Sequence, residues 1–308
     1  MESPQQYPPM NAPTQSGTSS PGQPTNIPSS IPVAPKKPRV WTVIVAFVIV
    51  GIVGFVTSGI YLAIASVLMG NVSGSAQEKM TRVLENPLAM IPSFAIMGVT
   101  ALIVTAICVA LSPQRMRDRL SLHPSRFGIQ GYGASIFVVS GTSMAVGQIL
   151  SPLTDTNSPT LKLIDKHLRS TSTAWFVLAA LIIAGLAPIA EEVLFRGYMQ
   201  TRLRERWGAI VAITMTALLF GAFHADPVQS PFAFVIGLSL GYVTERMGSI
   251  RPAIVCHAVT NLLSVLGSRF AESERAEPTS WPAVAVGIIL ATTGIMWFQR
   301  RGKLLVAP

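Results

Sequence analysis

Residues 174–202 read AWFVLAALIIAGLAPIAEEVLFRGYMQTR, an apolar run long enough to cross a bilayer that carries two adjacent glutamates and an arginine. A membrane-spanning helix needs about 20 predominantly apolar residues. A charged group at bilayer depth costs on the order of 2.5–3.5 kcal/mol even on the most lenient insertion scale. The run therefore reads as a membrane helix built around a costly feature. Seven further runs surround it: Val40–Met69, Leu88–Leu111, Tyr132–Pro152, Gly208–His224, Pro231–Thr244, Pro252–Gly267 and Trp281–Phe298. The chain is 50% hydrophobic and only 12% charged, which is too few charges for a soluble protein of 308 residues. The expected fold is all-α, a polytopic membrane helix bundle of about eight transmembrane helices.

Residues 1–39 differ from the rest. They are rich in Pro, Ser, Gln, Thr and Asn, and their basic residues, Lys36, Lys37 and Arg39, come at the end. Such a segment buries too little apolar surface to fold and reads as a disordered cytoplasmic tail. Residues 40–303 form the membrane domain, and the first run is too long for a cleaved signal core and reads as a retained anchor. Cys108 and Cys256 both lie in apolar runs, which argues against a disulfide framework or a thiolate metal site.

The net charge of +9 and pI of about 10.1 do not require a nucleic-acid partner. Lys and Arg concentrate in alternate loops, as in cytoplasmic segments of membrane proteins. With eight spans and a cytoplasmic N-terminus, fifteen basic residues fall inside and seven outside. Both termini are then cytoplasmic, and the protein is an integral, multi-pass protein of the cell membrane. Lipid and a protein or peptide substrate are the expected partners. The sequence carries no sign of oligomeric state.

Few ionisable groups lie inside the runs: Glu191, Glu192, Arg196, His224 and His257. Glu192 and Arg196 are four apart and share a helix face, whereas Glu191 is turned about 100° away. Phe220 precedes His224 by four residues, and His257 precedes Asn261 by four. The turn between the fourth and fifth runs falls at Trp207 and Gly208, with Glu191 and His224 sixteen residues away on either side. Two antiparallel helices from that turn place both at one level. His123 and His167 fall in loops, and Gly51, Gly54 and Gly59 suggest a close helix contact in the first run. Each buried polar group has an ordinary explanation alone: an ion pair, an interfacial histidine, a satisfied core histidine, an interhelical amide. Their joint occurrence at similar depth points to a site.

A carboxylate and an imidazole facing one cavity can hold and deprotonate a water, with Glu191 as base and His224 orienting the water. His257 and Asn261 can donate to a developing oxyanion. Glu192, Arg196 and Phe220 would support them. No activated serine or cysteine stands out, and the His-Glu-x-x-His signature is absent.

Three motifs, Glu191-Glu192-x-x-x-Arg196, Phe220-x-x-x-His224 and His257-x-x-x-Asn261, resemble in order and spacing those of the CAAX protease and bacteriocin-processing enzymes, which include the type II CAAX prenyl endopeptidases. The resemblance centres on residues 174–267. It implies an intramembrane endopeptidase in which the first Glu and first His activate water and the last His and Asn form the oxyanion hole. Prenylated CAAX proteins are that family's best-known substrates. The expectation is catalysis without a cofactor. A zinc enzyme with Glu191, His224 and His257 as ligands is an alternative, as are a proton-coupled transporter and an inactive scaffold. Asp226 would support His224, and the lack of a carboxylate on the His257 helix face disfavours metal.

Overall fold

The computed structural model of the protein describes residues 39–70, 75–112, 114–153, 158–270 and 278–304. The tail with Lys36 and Lys37, and the loop charges Asp155, Glu272, Glu274, Arg275 and Glu277, lie outside the described residues. The described residues are helical, with no strand among them. In chain order the helices are α1 (Trp41–Leu68), α2 (Ala76–Leu84), α3 (Pro87–Ala110), α4 (Met116–Arg119), α5 (Gly128–Leu150), α6 (Pro159–Ser170), α7 (Thr173–Trp207), α8 (Ala209–His224), α9 (Gln229–Met247), α10 (Arg251–Phe270) and α11 (Trp281–Leu304).

Local chemistry sets their ends. Ser75 and Glu78 form a reciprocal capping box at the start of α2. Asn86 and Ser158 cap α3 and α6, each followed by a proline in the first turn. Arg269 donates to the carbonyls of Leu168, Arg169 and Thr171 at the end of α6. His167, expected in a loop, is a buried residue of α6.

Among the described residues six helices, α1, α3, α5, α7, α10 and α11, are long and apolar enough to cross a membrane. Helix α8 is apolar but has 16 residues, and α9 has 19 residues but is less apolar. The polytopic helical bundle is as expected; six spans of the expected eight meet the length and hydropathy requirement. The exterior is unlike that of a soluble protein, because many large apolar side chains are exposed. Ile52, Phe55 and Ile60 on α1 are 60%, 60% and 56% exposed, whereas Glu192 and Arg196 are fully buried. Hydrocarbon, not water, suits such an exterior.

The connections after α3, α7 and α9 meet at one end, which is rich in arginine. Ile250 N–H donates to Ser121 O at 3.1 Å, Arg126 N–H to Met247 O at 3.0 Å, and Ser249 Oγ to His123 O at 2.7 Å. Arg119 pairs with Glu205 at 3.5 Å. The turn between α7 and α8 falls at Gly208 as expected, with φ +82°, a conformation that favours glycine. Arg202 does not project there: it is buried, stacked on Tyr198 at 4.5 Å and donating to Thr42 at 3.1 Å.

The tightest helix contact is between α5 and α11. A Cβ on Gly141 would stand 2.6 Å from the Gly287 carbonyl oxygen, and one on Gly287 2.6 Å from that of Gly141. Small residues let these backbones touch, the usual membrane solution where apolar lipid removes the hydrophobic drive. The contact expected at the glycines of α1 is confined to Gly54, which faces Met97; Gly51 and Gly59 meet nothing within 4 Å. Gly287→Ala should therefore cost about 1–3 kcal/mol through overpacking. Gly51→Ala should leave thermal unfolding in detergent unchanged. Equal melting temperatures for the two variants would refute the α5–α11 contact.

Candidate active site

The site is organised by α7, which is not a uniform α-helix. Two stretches, Ile182–Leu186 and Val193–Gln200, are π-helical, with a short α-helical segment, Ala187–Glu192, between them. Wide turns of this kind are frequent at functional sites because they re-aim side chains within a continuous helix. Pro188 gives a local reason for the first. In π-helical hydrogen bonding the Ala187 N–H reaches Ile182 O, and the next carbonyl, Ile183 O, would need an N–H at position 188. Proline has none. Asn261 Nδ2 of α10 donates to Ile183 O at 2.9 Å instead. Asn261 is thus a backbone support, with its second amide hydrogen left over.

One turn before Asn261 on α10, His257 faces both glutamates. Its Nδ1 lies 2.9 Å from Glu192 Oε1 and its Nε2 3.8 Å from Glu191 Oε2. A carboxylate is only an acceptor, so Nδ1 carries hydrogen in the shorter contact. His257 has no carboxylate on its own helix face, as the sequence shows; its carboxylate partners come from α7. Glu192 Oε1 also accepts from Arg196 NH1 at 2.8 Å, and both side chains are fully buried. The expected Glu192–Arg196 pair is present and extends to the imidazole. Arg196 NH2 donates to Gly237 O of α9 at 3.2 Å, and its guanidinium lies 4.3 Å over the Phe220 ring.

Phe220 connects its own motif, the second in chain order, to the other two. Its ring centroid is 4.9 Å from that of His224 and 5.7 Å from that of His257, edge-on in both cases, and 5.2 Å from that of Phe195. His224 Nδ1 meets its own helix carbonyl, Phe220 O, at 2.8 Å, so Nδ1 carries hydrogen and Nε2 presents a lone pair. Glu191 and His224 are both partly accessible, unlike Glu192 and Arg196. No hydrogen bond or ion pair joins Glu191 to His224 among the described residues.

Asp226 does not support His224. Its carboxylate accepts the Val228 and Gln229 N–H groups, each at 2.9 Å, and the Ser158 hydroxyl at 2.8 Å, capping α9 and tying it to the start of α6. Burial alone would push its pKa up. The hydrogen bonds from Gln229, Ser158 and Val228 outweigh it and hold the carboxyl below its ordinary range, so it stays ionised.

The zinc alternative requires Glu191, His224 and His257 to converge within about 2.0–2.2 Å of one ion. Among the described residues no three His, Cys, Asp or Glu side chains form such a group. His257 is held between two carboxylates, and His224 sits edge-on to Phe220. The arrangement does not fit that ligand set.

Sequence comparison gives an independent line. Residues 173–263 match the family model described as type II CAAX prenyl endopeptidase Rce1-like. That region is similar to the CAAX protease family. It contains all three motifs, from Glu191 to Asn261, and supports a peptidase at the coarse level. No curated protein and no solved structure was found that matches the chain.

The buried cluster has a direct test. Glu192→Gln removes the counter-charge of Arg196 and weakens the hold on His257. A buried charge left unpaired costs roughly 3–5 kcal/mol. The variant should lose much of its folded fraction in detergent, read by thermal unfolding. Wild-type stability would show that the cluster is not a structural centre.

Proposed function

We propose that the protein is an intramembrane endopeptidase that hydrolyses a peptide bond of a membrane-associated protein or peptide with a water activated by Glu191 and His224. The observation that carries this reading is the convergence of the three motifs around Phe220, with Glu191 and His224 partly accessible and the Glu192–Arg196 pair buried. His224 Nε2 accepts a hydrogen bond from the water, and Glu191 takes its other proton as the oxygen attacks the carbonyl carbon. Protonated His257 carries an N–H at each end: Nδ1–H stays on Glu192 and Nε2–H donates to the oxyanion, joined by the second amide hydrogen of Asn261. The tetrahedral intermediate collapses with cleavage of the C–N bond, and the proton on Glu191 passes to the departing amine. No step is routed through a metal.

The family makes a prenylated CAAX peptide the first substrate to assay. Glu191→Gln should lower cleavage by about a thousandfold or more, while keeping the wild-type melting temperature, because the partly accessible carboxylate leaves no buried charge stranded. Wild-type cleavage by this variant would end the assignment of Glu191. Exhaustive membrane-permeant chelation should leave cleavage intact. Loss on chelation, with recovery on adding zinc, would replace the water-activation scheme by a metal-dependent one.

Orientation is part of the same proposal. The Arg-rich end, where the α3–α5, α7–α8 and α9–α10 connections meet, is cytoplasmic, and both termini lie on that side. Accessibility reporters placed after Lys37 and after Arg301 should both report the cytoplasm. An external signal from either would reverse the topology.

A further inference from the structure

Four buried polar atoms on α7 have no partner in the protein, and three of them, Glu192 Oε2, Arg196 Nε and Gln200 Oε1, form a row; the fourth, Arg202 Nε, lies apart. The three residues of the row are at most 1% exposed and follow one another at four-residue steps, on one side of the helix. Each buried polar atom left unsatisfied costs about 1–3 kcal/mol, so the row calls for a ligand that both donates and accepts. The Gln200 amide cannot turn to relieve it. Its Nε2 donates to Gly241 O at 3.1 Å and Glu245 Oε1 at 3.3 Å, both acceptors, which leaves Oε1 free.

Arg196 and Gln200 line a polar cavity of about 180 Å³ at the Arg-rich end, beside Arg204 and Glu245. The Arg204–Glu245 ion pair, 2.7 Å long and with the Arg204 side chain 55% exposed, is part of its lining. A water takes up about 30 Å³ of liquid, so the space holds several. Its lining balances Arg126, Arg196 and Arg204 against Asp118, Glu205 and Glu245, which gives no preference for an anion or a cation.

We propose that the cavity is a water-filled back entrance, from which a file of waters passes Gln200 Oε1 and Arg196 Nε to reach Glu192 Oε2. The use of this path rests on the endopeptidase reading. Each bond cleaved consumes one water, and a substrate lying over Glu191 and His224 closes the front approach. The cavity behind α7 lies at the Arg-rich end, away from that approach, and waters pass from it along the row as side chains move. Gln200 is a positioning residue: it holds the water that bridges the cavity to Arg196.

The test is a density map of the full-length protein in lipid nanodiscs, at a resolution that shows ordered water, for the wild type and for Gln200→Met and Glu191→Gln. The wild-type map should show waters within hydrogen-bonding distance of Gln200 Oε1 and Arg196 Nε. Gln200→Met should lose the first and retain the helices. An empty cavity, or one filled by a lipid tail or an ion, overturns the proposal. Should Gln200→Met fail to fold, Thr244→Val, which removes one cavity hydroxyl, is mapped in its place and should lose water from the same space. In parallel, cleavage of a fluorogenic prenylated CAAX peptide is measured. Gln200→Met should lower kcat about tenfold with KM unchanged, and Gln200→Ser, which leaves room for a further water, should recover most of it. An unchanged kcat in a folded Gln200→Met protein that has lost its water overturns the supply role. Glu191→Gln should keep the waters and lose cleavage. A wild type that holds the waters but does not cleave the peptide counts against the substrate or the endopeptidase reading, and the map alone then decides the entrance.

Discussion

One carboxylate oxygen, Glu192 Oε1, takes hydrogen bonds from Arg196 on its own helix and His257 on α10, in a place fully removed from solvent. A charge so buried is tolerated only when it is paired and its hydrogen bonds are met. Most of what surrounds it meets that condition. Gly237 offers Arg196 a carbonyl, Phe220 offers it a ring face, and α10 offers a second donor to the carboxylate. The centre buries charged and aromatic side chains among aliphatic ones such as Leu194 and Leu240, while a further set of large aliphatic side chains faces outward. In hydrocarbon that order is natural, because apolar surface gains little from being covered and polar groups have nowhere else to find partners.

The two wide turns of α7 complete the arrangement. Glu191 and Glu192 lie on a single α-helical turn between them, so adjacent residues serve opposite tasks: one locked into the bundle, the other left partly accessible. The first wide turn is supported from α10 by Asn261, and the same helix carries His257 one turn away. Helix α10 therefore supports the backbone of α7 and faces its carboxylates from one face. This makes Asn261 a structural residue before it is anything else, which its place in a short motif does not reveal.

Much of this was legible in the sequence. The apolar runs marked the helices because membrane spans need uninterrupted hydrophobicity, and Gly208 marked the α7–α8 turn because a positive φ favours glycine. The Glu192–Arg196 pair followed from four-residue spacing alone. What spacing within a helix could not show was any partner from another helix. The Glu192–His257 contact joins residues 65 positions apart, and Asp226 faces α6 rather than the histidine two residues before it. The wide turn had a signal that was not used: Pro188, inside a membrane helix, leaves a carbonyl without its donor, and a buried amide elsewhere is a natural candidate to fill the vacancy. The shortfall of α8 and α9 as spans has an equally plain cause. Helix α9 is packed within the bundle and need not be as apolar as helices facing lipid, whereas α8 is apolar and outward-facing but short.

The steps along α7 and α9 have a further consequence. Arg196 and Gln200 on one helix reach the carbonyls of Gly237 and Gly241 on the other, two teeth four residues apart meeting two notches four residues apart. Such a pair works as a vernier. Sliding α9 along α7 by a single residue would put side chains where the bare glycine carbonyls stand, and a matching position recurs only after about 6 Å, four residues on. There Gln200 would meet Glu245 in place of a glycine. The two helices thus have one seating, and motion at the site must come from rotation of whole helices or of side chains, not from gradual sliding.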